Sequence, residues 1–213
     1  MNYIVDHIPK GKLRPGTKMT PTTITIHSTG NLESTAKNER SWLTNPTNDR
    51  VASWHICVDE KEAVEAIPLD EVAYHAGNNT GNRSSISIEI CESGNREKTV
   101  ENAVKLVAKL LKERGWGIDR LRRHYDWSGK ICPQIFYDGG KWTGWTKFKN
   151  DVNKELISMN KPIMPNPSNQ PSPWAKEAWE WAKKEGLLDG TRPKDGLTRE
   201  EFAVVLKRLV DKK

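Results

Sequence analysis

Apolar and polar positions alternate over residues 22–27 (TTITIH), which predicts a strand with Ile24 and Ile26 on one face and Thr23, Thr25 and His27 on the other. The pattern is stronger in residues 85–91 (SISIEIC), where Ile86, Ile88 and Ile90 share a face opposite Ser85, Ser87, Glu89 and Cys91. A carboxylate on that second face stands out, because a half-buried strand ordinarily places a neutral side chain there. Residues 52–58 and 63–67, joined by the polar residues 59–62, read as a hairpin. Residues 99–114 switch to helical spacing, bringing Val100, Ala103, Val104, Val107, Leu110 and Leu111 onto one side, with Gly115 as the stop. Residues 146–159 read as another helix, and residues 31–44 as a third that ends before Pro46. Strands interleaved with helices predict an α/β fold with a mixed central β-sheet flanked by helices.

The pattern breaks at residues 161–173 (KPIMPNPSNQPSP), where Pro162, Pro165, Pro167, Pro171 and Pro173 exclude a helix or a central strand. This segment reads as a semi-rigid linker between a domain over residues 1–160 and a small helical module over residues 174–213. The module reads as two helices. Residues 174–185 are stopped by Gly186, with Trp174, Ala178 and Trp181 on one face expected to be core. Residues 199–211 are opened by Thr198 with Glu201 three residues later, a capping-box pattern.

Composition narrows the classes. Nine Trp among 213 residues belong to a folded chain, despite a hydrophobic fraction of only 35%. No stretch approaches the roughly 18 apolar residues of a membrane span, and the N-terminus lacks a signal-peptide pattern. Three cysteines, Cys57, Cys91 and Cys132, exclude a disulfide framework. The net charge of +6 suits an anionic partner without specifying one. Arg120, Arg122 and Arg123 form the one dense basic cluster and no nucleic-acid motif accompanies them, so no nucleic-acid partner is expected.

Candidate chemistry concentrates in a few places. His124 lies eight residues before Cys132, with Lys130 between them. Imidazole and thiolate are good Zn2+ ligands, His27 at a strand end can supply a third, and three protein ligands leave a fourth position for water. Spacing alone leaves a loop that holds these residues for no catalytic reason equally open.

Five segments in order resemble the zinc-dependent N-acetylmuramoyl-L-alanine amidases of the type-2 amidase and peptidoglycan-recognition superfamily, particularly phage endolysins of Bacillus-like hosts. They are Ile26-His27-Ser28-Thr29, Ala52-Ser53-Trp54-His55, Tyr74-His75-Ala76-Gly77, Ile86-Ser87-Ile88-Glu89, and the run from His124 to Pro133 (HYDWSGKICP). The resemblance implies that His27, His124 and Cys132 bind Zn2+, that Glu89 is the catalytic acid/base, and that Lys130 stabilises the transition state. It implies peptidoglycan as substrate, with His75 at the groove edge, where two readings stay open, contact with peptide or sugar or a purely structural role; Trp54 is expected among the substrate-binding residues. Some members carry a Tyr where Trp54 stands, and an indole cannot exchange a proton at useful pH, so Glu89 carries the acid/base role alone. His55 is expected to be structural, Cys57 and Cys91 to be buried inert thiols, and Trp42 and Trp116 to be packing residues. Trp127, Trp142 and Trp145 are open to two readings, sugar stacking or core.

Residues 172–209 resemble one S-layer-homology repeat, notably in Trp174, residues 186–193 (GLLDGTRP) and residues 197–201 (LTREE). This implies attachment to an anionic secondary cell-wall polymer, against a plain packing or dimerisation module. Together the resemblances imply a chain made in the host cytoplasm that acts on the wall after release. The competing reading is a recognition module that binds peptidoglycan without hydrolysis, which the complete set of ligands together with Glu89 and Lys130 disfavours.

Overall fold

A central sheet is assembled mainly from strands far apart in sequence. The computed structural model describes residues 1–160, 170–191, 193–194 and 199–211, and the chain divides into two units, Met1–Asn160 and Lys161–Lys213. In the first unit the strands are β1 (Asn2–Val5), β2 (Thr23–Ser28), β3 (Ile56–Val58), β4 (Glu62–Glu65), β5 (Ser85–Ile90) and β6 (Leu121–Arg123), in the order β1-β4-β3-β5-β2-β6. Neighbours run parallel except in the β3–β4 hairpin, so the sheet is mixed. Flanking it are α1 (Ala36–Trp42), α2 (Asn79–Ser84), α3 (Arg96–Glu113), α4 (Tyr125–Ser128) and α5 (Thr143–Asn160).

The alternation in β2 and β5 decides what each face of the sheet does. Ile24, Ile26, Ile86, Ile88 and Ile90 are wholly buried in the core that α3 and α5 close, each contributing about 1.5–3 kcal/mol of burial. The other face presents Thr25, His27, Ser87 and Glu89. The parallel register sets His27 directly beside Glu89. A second core on this side gathers Ala36 and Leu43 with Trp54, Cys57 and Cys91. Asp59 secures that layer: its carboxylate accepts from the backbone N–H of Ala36 at the start of α1 and from those of Lys61 and Glu62 in the hairpin turn.

Several elements differ from the sequence reading. Helix α3 begins at Arg96, where Asn95 caps by accepting from the N–H of Lys98; the polar first turn carries no apolar periodicity to announce it. Residues 31–34 precede α1 as a loop, because Thr35 is the cap. The first hairpin strand is only Ile56–Val58. Ser53 pairs instead with Tyr74, through Ser53 N to Tyr74 O and Tyr74 N to Ser53 Oγ, so His55 lies just before the strand and not within it. Strands β1 and β6 and helices α2 and α4 are three to six residues long and carry no periodic signal.

Among the described residues of the second unit, the α-helices are α6 (Lys176–Lys184) and α7 (Arg199–Val210). Trp174, Ala178 and Trp181, expected as core, are exposed, Trp174 by 87%. The sequence carries two apolar stripes one residue apart, and it is the other, Ala175, Trp179 and Ala182, that is half-buried, with Leu187 buried and its N–H bonded to the Ala182 carbonyl. Of the expected linker over residues 161–173, residues 161–169 lie outside the described residues, as does the Thr198 cap, and Pro173 opens a 3-10 turn, Pro173–Ala175. Among the described residues no helix is long and apolar enough to cross a membrane.

Candidate active site

Strand β2 ends at the sheet's polar face, and the chain returns there through the segment after β6. His27, His124 and Cys132 converge, one ligand-type atom from each lying within 4.8 Å of the others. His27 Nδ1 is 3.7 Å from Cys132 Sγ. A metal with bonds of about 2.1 Å to nitrogen and 2.3 Å to sulfur at a tetrahedral angle separates the two ligand atoms by about 3.6 Å, so the pair is set almost at that spacing. The backbone holds the arrangement: His124 N donates to Ile26 O, and Tyr125 N donates to Cys132 O.

The donor chemistry fits a cation. Burial lowers the basicity of His27 far below that of free imidazole, with His75, His124 and Lys130 adding to the effect, and brings His124 down to about 4, so both rings are neutral, the form that can bind a metal. Burial, reinforced by Glu89, pushes the Cys132 thiol up to about 12, and a thiolate there needs a positive partner. His124 Nδ1 and Glu89 Oε2 are buried and meet no hydrogen-bond partner in the protein. Buried polar atoms are ordinarily satisfied, and because these two belong to residues that line the groove at the His27–His124–Cys132 cluster, they fit a further group there.

Glu89 Oε1 lies 3.8 Å from His27 Nδ1. The carboxylate borders the groove rather than the Ile core, which meets the condition its expected role depends on. Burial, and after it Glu39, raises its pKa to about 8, with Lys130 opposing. Lys130 is exposed on the groove wall between His124 and Cys132. The groove has a volume of about 890 Å3 and also runs past Thr29, Glu39, Arg50 and Trp54.

His75, expected at the groove edge, is 7% exposed and has both ring nitrogens engaged, Nδ1 with His27 Nε2 at 3.2 Å and Nε2 with Ser85 O at 3.1 Å. Asn82 Oδ1 accepts from the N–H groups of His75 and Ala76, fixing this loop. Gly77, at φ +73°, lets the loop run against Ser128, where a Cβ would lie 3.1 Å from the Ser128 Cβ. His55 is fully buried: Nδ1 accepts from Ser87 N and Nε2 donates to Glu71 O. Cys57 and Cys91 are free, buried thiols with sulfurs 3.4 Å apart. Trp142 and Trp145 belong to the main core, and Trp127 is half-buried with its N–H donated to Thr25 Oγ1, so these three pack the fold. Trp116 packs beside the main core and Trp42 beside the second.

The sequence reading did not single out Glu39. It shares an inward face of α1 with Ala36 and Leu43, and this i, i+3, i+7 spacing was the available signal. Burial raises its pKa.

Residues 17–135 match the family described as N-acetylmuramoyl-L-alanine amidase. N-acetylmuramoyl-L-alanine amidase CwlA of Bacillus subtilis is 39% identical over 184 residues, covering 79% of this chain and 66% of that protein. XlyB of the same organism is 44% identical over 140 residues, covering 62% and 42%. The chain thus spans less than two thirds of the length of either relative. The solved catalytic domain of XlyA superposes with a TM-score of 0.65 at 40% identity, over 71% of this chain and 99% of that domain. PlyL does so with a TM-score of 0.64 at 34% identity, over 73% and 99%. In sequence and in fold, the chain belongs to the N-acetylmuramoyl-L-alanine amidase family.

Proposed function

We propose that the protein is a peptidoglycan hydrolase that cleaves the amide bond between N-acetylmuramic acid and L-alanine, with Zn2+ held by His27, His124 and Cys132. The observation that carries this reading is the juxtaposition of that ligand triad with a groove-lining carboxylate 3.8 Å from His27. Zinc, when bound, supplies the Lewis acidity that polarises an amide carbonyl and acidifies water.

The chain's own groups supply the proton traffic. Glu89 takes a proton from the attacking water and returns it to the departing nitrogen; a pKa near the working pH lets one carboxyl group serve as both base and acid. Trp54 has no proton to exchange, and its place on the groove wall suits it to hold substrate by contact. Lys130 sets an ammonium beside the position where the oxyanion develops, an arrangement worth most where water is excluded. A module that only bound peptidoglycan would need neither the thiol ligand nor the raised carboxyl.

For the second unit we propose attachment to an anionic secondary cell-wall polymer, supported by the likeness of its sequence to an S-layer-homology repeat. Binding to walls stripped of that polymer as strong as to intact walls would overturn it.

The activity is tested by lysis of purified walls. We expect chelation to abolish lysis, zinc to restore it, and Glu89→Gln to slow turnover by about 10²- to 10⁴-fold while zinc remains bound. Undiminished lysis by metal-free protein, or by the Glu89→Gln variant, would overturn the mechanism.

A further inference from the structure

The ring of His27 is connected on its far side to a second buried imidazole, and that one to a backbone carbonyl. His27 Nε2 lies 3.2 Å from His75 Nδ1, and His75 Nε2 lies 3.1 Å from Ser85 O. The two rings meet edge-on, with centroids 5.2 Å apart and planes at 87°. A carbonyl oxygen can only accept, so His75 Nε2 carries the hydrogen and, in the neutral ring, Nδ1 is bare. A bare Nδ1 in turn requires the hydrogen of His27 to sit on Nε2. The one lone pair left to His27 is then on Nδ1, the atom that faces Cys132 Sγ at 3.7 Å and Glu89 Oε1 at 3.8 Å.

We propose that His75 is a positioning residue: it relays the polarity of the Ser85 carbonyl to His27, fixing the tautomer and ring orientation in which His27 offers Nδ1 to the metal. The inference rests on the proposed metal role of the triad and extends it. Ser85 opens β5, whose ladder with β2 also sets His27, so the end of the relay and the ligand belong to one rigid sheet. Asn82 holds the His75 backbone, and Asn78, the cap of α2, donates to Trp127 O in the segment that delivers His124 and Cys132. The relay therefore sits where strand β2 and the segment carrying His124 and Cys132 are tied together. Partners behind ligating histidines commonly govern metal affinity by about 10- to 100-fold.

The test uses the full chain, with His75→Leu to remove the relay and His75→Asn to keep an acceptor near the Nδ1 position. Long-range 1H–15N spectra of the metal-free wild type should show His27 protonated on Nε2. Zinc competition against a chelating indicator should give a dissociation constant about 10- to 100-fold weaker for His75→Leu, with most of the loss recovered in His75→Asn. A wild-type His27 protonated on Nδ1, or a His75→Leu protein that binds zinc as tightly as wild type, would overturn the proposal. If His75→Leu does not fold, the wild-type spectrum and His75→Asn still decide it. A wild type that binds no zinc while showing the Nε2–H tautomer overturns the metal role of the triad, not the relay.

Discussion

Glu89 and His55 show how burial gives one sheet face two kinds of titratable residue. Glu89 keeps one unpaired oxygen and a raised pKa beside the ligand cluster, whereas His55 has both nitrogens satisfied and is held neutral, its pKa lowered by burial to about 4. For His55 the consequence is a pH-dependent stability. In the unfolded chain it titrates near 6.5 and in the folded protein near 4, so between those values the unfolded state binds the extra proton. The stability contributed by a neutral His55 is fully present above pH 6.5 and is lost progressively as pH falls towards 4, by about 3 kcal/mol in total. Urea unfolding of metal-free protein across this range should show the midpoint falling, and a midpoint independent of pH would refute the burial argument. The residues of the candidate site were legible in the sequence because His27, Glu89 and the run from His124 to Cys132 are chemically conspicuous. His75 was legible as a residue of the groove, but its contact with His27 was not, because a hydrogen bond between residues 48 apart leaves no local pattern.

At the scale of elements, the groove is one wall of sheet and one of α1, and their attachment depends on Asp59. Its two carboxylate oxygens accept from Ala36, Lys61 and Glu62. Asp59→Ala leaves these donors without that partner, the Ala36 N–H in a buried setting, and should cost about 2–4 kcal/mol. Chemical denaturation measures this; a loss under about 0.5 kcal/mol, the size of an ordinary surface substitution, would show that α1 is held by other contacts. Long periodic elements were the ones the sequence declared: β2, β5, α3 and α5 lie within a few residues of their expected places. Strands β1 and β6 were silent because three or four residues show no period, and they owe their conformation to pairing with β4 and β2. In α6 the pattern was present twice, and only tertiary packing chose between the two stripes.

Among the described residues, the proposed ligands, the proposed acid/base and the groove lining all lie in Met1–Asn160. A chain ending at Asn160 should therefore fold, bind one zinc ion and hydrolyse solubilised wall fragments at the full-length rate, while sedimenting less with intact walls; loss of zinc binding on truncation would contradict this division of labour. The central claim, zinc-dependent cleavage at one amide bond, is tested most directly by the chemistry of the products. Purified peptidoglycan is digested with zinc-loaded protein and the newly formed amino termini are labelled and identified by mass spectrometry. The account requires new amino termini on L-alanine alone, appearing with zinc and absent after chelation. New amino termini on any other residue, or new reducing sugar ends without amino termini, would contradict it.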